Sequence, residues 1–129
     1  MRRDNKDLKW KKVKEAVRKR DKGCRLCKIL TVKEMLILKR KAGRLLNFLD
    51  CAHIFPVGKY PILVYEKKNI VLMNRFSHHL LDDYKNPLTG DLLTKEEHTE
   101  WWIRIIGEKL YSELEILSKR SAVNESQSG

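Results

Sequence analysis

Five residues between positions 50 and 82 carry side chains suited to hydrolysis at a phosphate: Asp50, His53, Asn69, His78 and Asp82. Cleaving a phosphodiester with water needs a proton acceptor, a cation to neutralise charge on the phosphate and the leaving 3′ oxygen, and a frame that holds both in line. A histidine, with an unperturbed pKa of about 6.5, is a competent base near neutral pH, and His53 is the candidate. Asn69 does not titrate. Its amide can hydrogen-bond backbone at any pH and so hold either the neighbouring loop or the imidazole. His78 is the candidate metal ligand, nine residues beyond Asn69. Asp82 follows it by four and shares its helical face. Asp50 completes the set, and His79 is the alternative ligand to His78. One imidazole with a carboxylate pair suits Mg²⁺, Mn²⁺ or another first-row ion.

These residues must be positioned by short elements. Residues 45 to 55 are apolar, lie between turn signals and read as a strand ending near His53. Pro56, Gly58 and Pro61 force an irregular loop. Ile70 to Met73 reads as a second strand, and a helix follows from about Arg75 to Tyr84. Singly, each polar residue has an ordinary structural role. Their order across strand, strand and helix gives them a joint one.

The rest of the chain reads as helices. Trp10, Val13 and Val17 mark one face of a helix over residues 6 to 20, with Asp4 or Asn5 available to cap it. Trp10 is the expected anchor of that helix to the core. Thr31-Val32-Lys33-Glu34 and Thr94-Lys95-Glu96-Glu97 have the form of capping boxes. The first opens a helix over 32 to about 41, which Gly43 stops. The second opens a long C-terminal helix that Gly107 kinks or divides. The chain therefore partitions into a basic helical arm (1–44), a core (45–85), a C-terminal helical region (86–120) and a small polar stretch (121–129) expected as a disordered tail. Together they form one globular domain.

Charge is unevenly spread. The chain has 28 Lys and Arg against 17 Asp and Glu, net +11. Residues 1–44 hold 18 of the basic and 5 of the acidic side chains, so the whole excess lies there. Such an asymmetry points to a polyanion bound by the arm. Lys9, Lys11, Lys12, Lys14, Arg18, Lys19 and Arg20 are the candidate DNA contacts. No apolar run approaches a spanning length, so no membrane role is expected. No apolar stretch follows Met1-Arg2-Arg3-Asp4, and no secretory signal is expected. Three cysteines suit a reducing compartment and a cytoplasmic protein. Cys24-x-x-Cys27 has the spacing of half a zinc site. No structural zinc is expected, and the two are read as small packed residues that would be ligands only if zinc were present.

Residues 10 to 85 resemble the HNH, or ββα-metal, endonucleases. Arg20-Asp21 with Cys24-x-x-Cys27 looks like the entry to that module. Ala52-His53-Ile54 looks like its first motif, and Asn69-Ile70-Val71-Leu72 followed by His78 looks like its second half. The run Asp50-Cys51-Ala52-His53 is closer to phage-type members, including recombination nucleases of the NinG/Rap kind. The resemblance implies an α+β protein, with a ββα-metal finger between a basic N-terminal helix and a long C-terminal helix. It also implies one divalent ion and metal-dependent nicking or cleavage of DNA. By the same resemblance the protein would act in a host cell's cytoplasm, with a phage or recombination protein as possible partner.

The pattern departs from the family in two places. Ala52 stands where many members carry a metal-binding residue. Asn74 and Ser77 stand where many carry a second cysteine pair. In a regular strand Asp50 and His53 point to opposite faces, so their joint use requires a twist or bulge. The alternative reading is a basic DNA-binding module that keeps the finger without catalysis. An RNA-binding or packaging accessory is a third.

Overall fold

The computed structural model describes the backbone of residues 2–128 and the side chains of residues 6–120. It is α+β. The helices are α1 (Arg2–Asp21), α2 (Arg25–Ile29), α3 (Val32–Ala42), α4 (Arg75–Asp82), α5 (Lys95–Ile106) and α6 (Glu108–Ser128). The strands are β1 (Leu49–His53) and β2 (Ile70–Asn74). They pair antiparallel in unbroken register from Leu49 opposite Asn74 to His53 opposite Ile70.

The sheet separates two apolar clusters. On one face α1 lays Val13 and Val17 on Ile70 and Leu72 of β2, with Trp10, Cys51 and Tyr65 at the margin. On the other, Ala52, Val71 and Met73 pack against Leu26, Leu38, Leu81, Trp102, Ile105 and Leu114. This division follows from strand geometry, since alternate side chains leave opposite faces. All five residues of β2 are buried, as expected of a strand covered on both sides.

Local signals hold where they are short-ranged. Both capping boxes form: Thr31 with Glu34, and Thr94 with Glu97. Gly43 ends α3 with φ +55°. Gly107, at φ +93°, divides the long C-terminal helix into α5 and α6, so the core is flanked by two helices there. The first strand is shorter than residues 45–55. Gly43–Asn47 form a 3₁₀ turn instead, and pairing stops at His53 because β2 begins at Ile70. The helix α4 ends at Asp82, two residues before the expected Tyr84, which takes a left-handed backbone with φ +57°. The short helix α2 has no counterpart in the sequence reading. The first helix begins at Arg2 and not at residue 6, so Asp4 and Asn5 lie inside α1 and do not cap it. The backbone of α6 runs into the stretch expected as a tail, whose side chains lie outside the described residues. Among the described residues no helix is long and apolar enough to cross a membrane.

Candidate functional site

The site is built on the sheet and on α4. One edge of β2 pairs with β1, and the other needs partners for its backbone groups. The last turn of α1 and the segment after it supply them. Arg20 donates to the Ile70 carbonyl (2.5 Å), Asp21 accepts from the Leu72 amide (2.9 Å), and Cys24 Sγ accepts from the Asn74 amide (3.2 Å). Arg20 also donates to the Lys67 carbonyl and to both oxygens of the buried Asp21. Burial alone would raise the Asp21 carboxyl, but Arg20, the Leu72 amide and Arg25 outweigh it and hold it below the usual range. Arg20, expected on DNA, is thus committed to the protein's own backbone. Its reach from the last turn of α1 to the free edge of β2 is the reason.

The cysteines are also hydrogen-bonding partners and not only small packed residues. Cys24 accepts from Asn74, and its thiol is pushed down to about 6, mainly by the hydrogen bond with Cys27, whose own thiol is pushed up. Asn74 and Ser77 are both buried and bonded to each other: the Asn74 amide donates to Ser77 Oγ (3.1 Å), and the Ser77 amide donates back to Asn74 Oδ1 (2.9 Å). The third cysteine, Cys51, lies at the other cluster, where burial raises its thiol.

Asn69 is fully buried and holds the loop, not the imidazole. Its Oδ1 accepts from the Phe55 amide (2.8 Å), and its Nδ2 donates to the Phe55 carbonyl (3.0 Å) and the Leu63 carbonyl (3.4 Å). One side chain thereby ties both ends of the loop between the strands. His53 sits at the mouth of that loop, and its Nε2 lies 3.0 Å from the Val64 carbonyl. A carbonyl only accepts, so Nε2 carries the hydrogen and Nδ1 of the neutral ring is left to take a proton. Trp10 stacks on the same ring, with centroids 5.3 Å apart and planes inclined by 14°. Trp10 therefore anchors α1 and also positions His53.

His78 is half-buried between two carboxylates. Its Nδ1 is 3.0 Å from Asp50 Oδ2, and its Nε2 is 3.2 Å from Asp82 Oδ2. Hydrogen bonding to Asp82, then to Asp50, raises the His78 pKa against the effect of burial. Arg75 grips Asp50 from the other side at 3.1–3.4 Å. Burial would raise the Asp50 carboxyl, but His78 and Arg75 together lower it.

This geometry corrects one expectation. Asp50 and Asp82 meet opposite nitrogens of His78, so the three do not converge on one point. The reason is topological: Asp50 comes from β1, whereas Asp82 lies one turn further along α4. Among the described residues one group could hold a metal ion. Asp50, His78 and His79 offer ligand atoms within 4.8 Å of one another. His78 Nε2 meets Asp82 separately.

Asp50 and His53 leave opposite faces of β1, as regular pairing without a bulge requires. Even so, His53 and His78 line one cavity of about 260 Å³ with Asp82, Tyr84, His98 and Trp102. Asp50 and His79 are not on its wall. On α1, Lys9 lies over the Tyr65 ring (4.5 Å) and Lys14 over Trp10 (5.6 Å), while Lys11, Lys12, Arg18 and Lys19 are exposed. Through Trp10 the basic helix abuts His53.

The sequence reading missed Arg75, the stacking role of Trp10, the Val64 carbonyl, and the Tyr84–His98 pair. Only the basic residue at the start of α4 carried any local signal. No protein-family description matches this chain, and no curated protein or solved structure matches it.

Proposed function

We propose that the protein is a metal-dependent endonuclease of the HNH kind that hydrolyses DNA phosphodiester bonds. The observation that carries this reading is the shared cavity of His53 with His78 and Asp82. A proton acceptor and a metal-capable pair that face one space can act on one phosphate.

His78 Nε2 and Asp82 are the residues that would hold a divalent ion, which would act as a Lewis acid toward the phosphate. Asp50 accepts the hydrogen on Nδ1 and so orients His78. A metal-ligating histidine usually has such a carboxylate partner. Arg75 in turn fixes Asp50. His53 Nδ1 takes the proton of the attacking water, whose oxygen bonds to phosphorus as the bond to the 3′ oxygen breaks. The leaving oxygen takes its proton from solvent. Asn69 keeps the loop and Val64 in place, and the exposed basic residues of α1 bind flanking phosphates.

The test is nicking of supercoiled plasmid in Mg²⁺ or Mn²⁺, with and without EDTA, alongside His53→Ala. Nicking that EDTA abolishes and His53→Ala lowers by about 10²–10⁴-fold is the expected result. Binding of duplex without EDTA-sensitive nicking would assign the chain to the non-catalytic DNA-binding class.

A further inference from the structure

A second cavity, of about 400 Å³, adjoins the first. The two share Ile54, Pro56, Tyr84, His98 and Trp102 along their common wall. Its volume lies in the range of small-molecule sites, roughly 300–1,000 Å³. Phe55, Tyr60 and Tyr111 make its aromatic lining, joined in edge and tilted contacts at 5.3–5.6 Å. Lys59, Lys95 and Lys119 stand around it, all exposed, and none is in an ion pair among the described residues. Thr99 and Glu115 add a hydroxyl and a carboxylate to the wall.

Tyr84 stands at the junction. It is 43% exposed although aromatic. Its ring lies flat on His98, with centroids 3.8 Å apart and planes inclined by 15°. His98 is itself fixed, its Nε2 donating to the Leu81 carbonyl at 2.8 Å. The Tyr84 backbone has φ +57°, a region that favours glycine. It is held there by hydrogen bonds to the Leu81 carbonyl and from the Leu93 amide. Tyr84 is the left-handed residue that closes the C-terminus of α4, where the Lys85 amide donates to the Leu80 carbonyl at 2.8 Å, and this cap carries a large ring that is left exposed.

We propose that this second cavity receives one unpaired nucleobase of the DNA, stacked on Tyr84, beside the phosphate that is cut. The proposal rests on the nuclease reading for the identity of the neighbouring site. Stacking on an aromatic ring suits any base, because every base has a π face. Thr99 and Glu115 can meet polar atoms on the base edge, and the three lysines suit the phosphates of the same strand. A base inside a duplex is covered on both faces and reaches the ring only by leaving the stack. The substrate class is therefore DNA with unpaired nucleotides at the cleavage point, such as a flap, gap or branch.

The test uses the full chain in EDTA, so that binding is read without cleavage. The probes are a short oligothymidylate, the same strand with abasic residues, and a paired duplex of equal length. Wild type is expected to bind the base-bearing strand about 5- to 150-fold more tightly than the abasic strand. Tyr84→Gly removes the ring and relaxes the backbone. It should lose that preference while its affinity for the abasic strand and the duplex stays the same. Tyr84→Phe should behave as wild type.

Equal affinity of wild type for the two single strands would overturn the proposal whatever the variants do. So would a Tyr84→Gly loss that is the same on both strands, since that marks a structural effect. Plasmid nicking without any base preference sinks this pocket alone. Base preference without nicking sinks the nuclease reading and leaves the pocket standing.

Discussion

Trp10 lies flat against His53, 5.3 Å from ring centre to ring centre. The contact joins the basic helix to the proposed proton acceptor across 43 positions of sequence. It covers one face of the imidazole while Val64 fixes its Nε2. Trp10→Ala should therefore lower kcat by up to about 100-fold through misplacement of the base, with KM for plasmid little changed. Trp10→Phe should restore most of the rate. A loss confined to KM would show that Trp10 serves DNA binding and not the position of His53.

The two nitrogens of His78 make the metal assignment testable. Isothermal titration of Mn²⁺ into variants separates the two sides of the ring. On the Nε2 assignment, Asp82→Asn weakens binding, and His79→Ala leaves it close to wild type. Asp50→Asn costs about 10–100-fold in affinity or activity, the usual worth of a residue that orients a ligand. If His79→Ala loses the ion while Asp82→Asn keeps it, the ion belongs with Asp50 and His79.

Arg20, which is bonded to the protein's own backbone, should behave differently from the other basic residues of α1. Replacing Lys11, Lys12 and Lys14 with Ala should flatten the dependence of log K on log salt, by about 0.9 for each duplex phosphate that is no longer neutralised. Arg20→Ala should instead leave the slope unchanged and destabilise the fold by about 1–3 kcal/mol. It strips charged hydrogen bonds from Asp21 and from the carbonyls of Lys67 and Ile70. Urea unfolding of Arg20→Ala decides whether this residue belongs to the fold or to the DNA.

Glu34 and Arg104 tie α3 to α5. The Arg104 guanidinium holds the Glu34 carboxyl at about 2, below its ordinary 4.5. The folded-state pKa is the lower one, so the pair's contribution is full above about pH 4.5 and is lost as pH falls toward 2. Glu34→Gln keeps the capping box and removes the charge. It should unfold more readily than wild type at pH 7, by about 0.2–1 kcal/mol for so exposed a pair, and equally readily at pH 2. Thermal melts at both pH values measure this.

The sequence by itself determined whatever depends on neighbours in the chain. Thr31 with Glu34, Thr94 with Glu97, and the stops at Gly43 and Gly107 are set within a few residues by capping and by positive φ. The spacing of His78 and Asp82 on one helix placed them side by side. Tertiary structure decided what each group meets across the fold. It turned Asn69 onto the loop, Arg20 onto the edge of β2 and Trp10 onto His53, and it put Asp50 and Asp82 on opposite nitrogens of His78. These pairings join residues far apart in sequence, so they depend on how strands and helices pack and not on spacing. The direction of a ring nitrogen leaves no trace in a residue's type. It is fixed only when a carbonyl or carboxylate from another element arrives beside it.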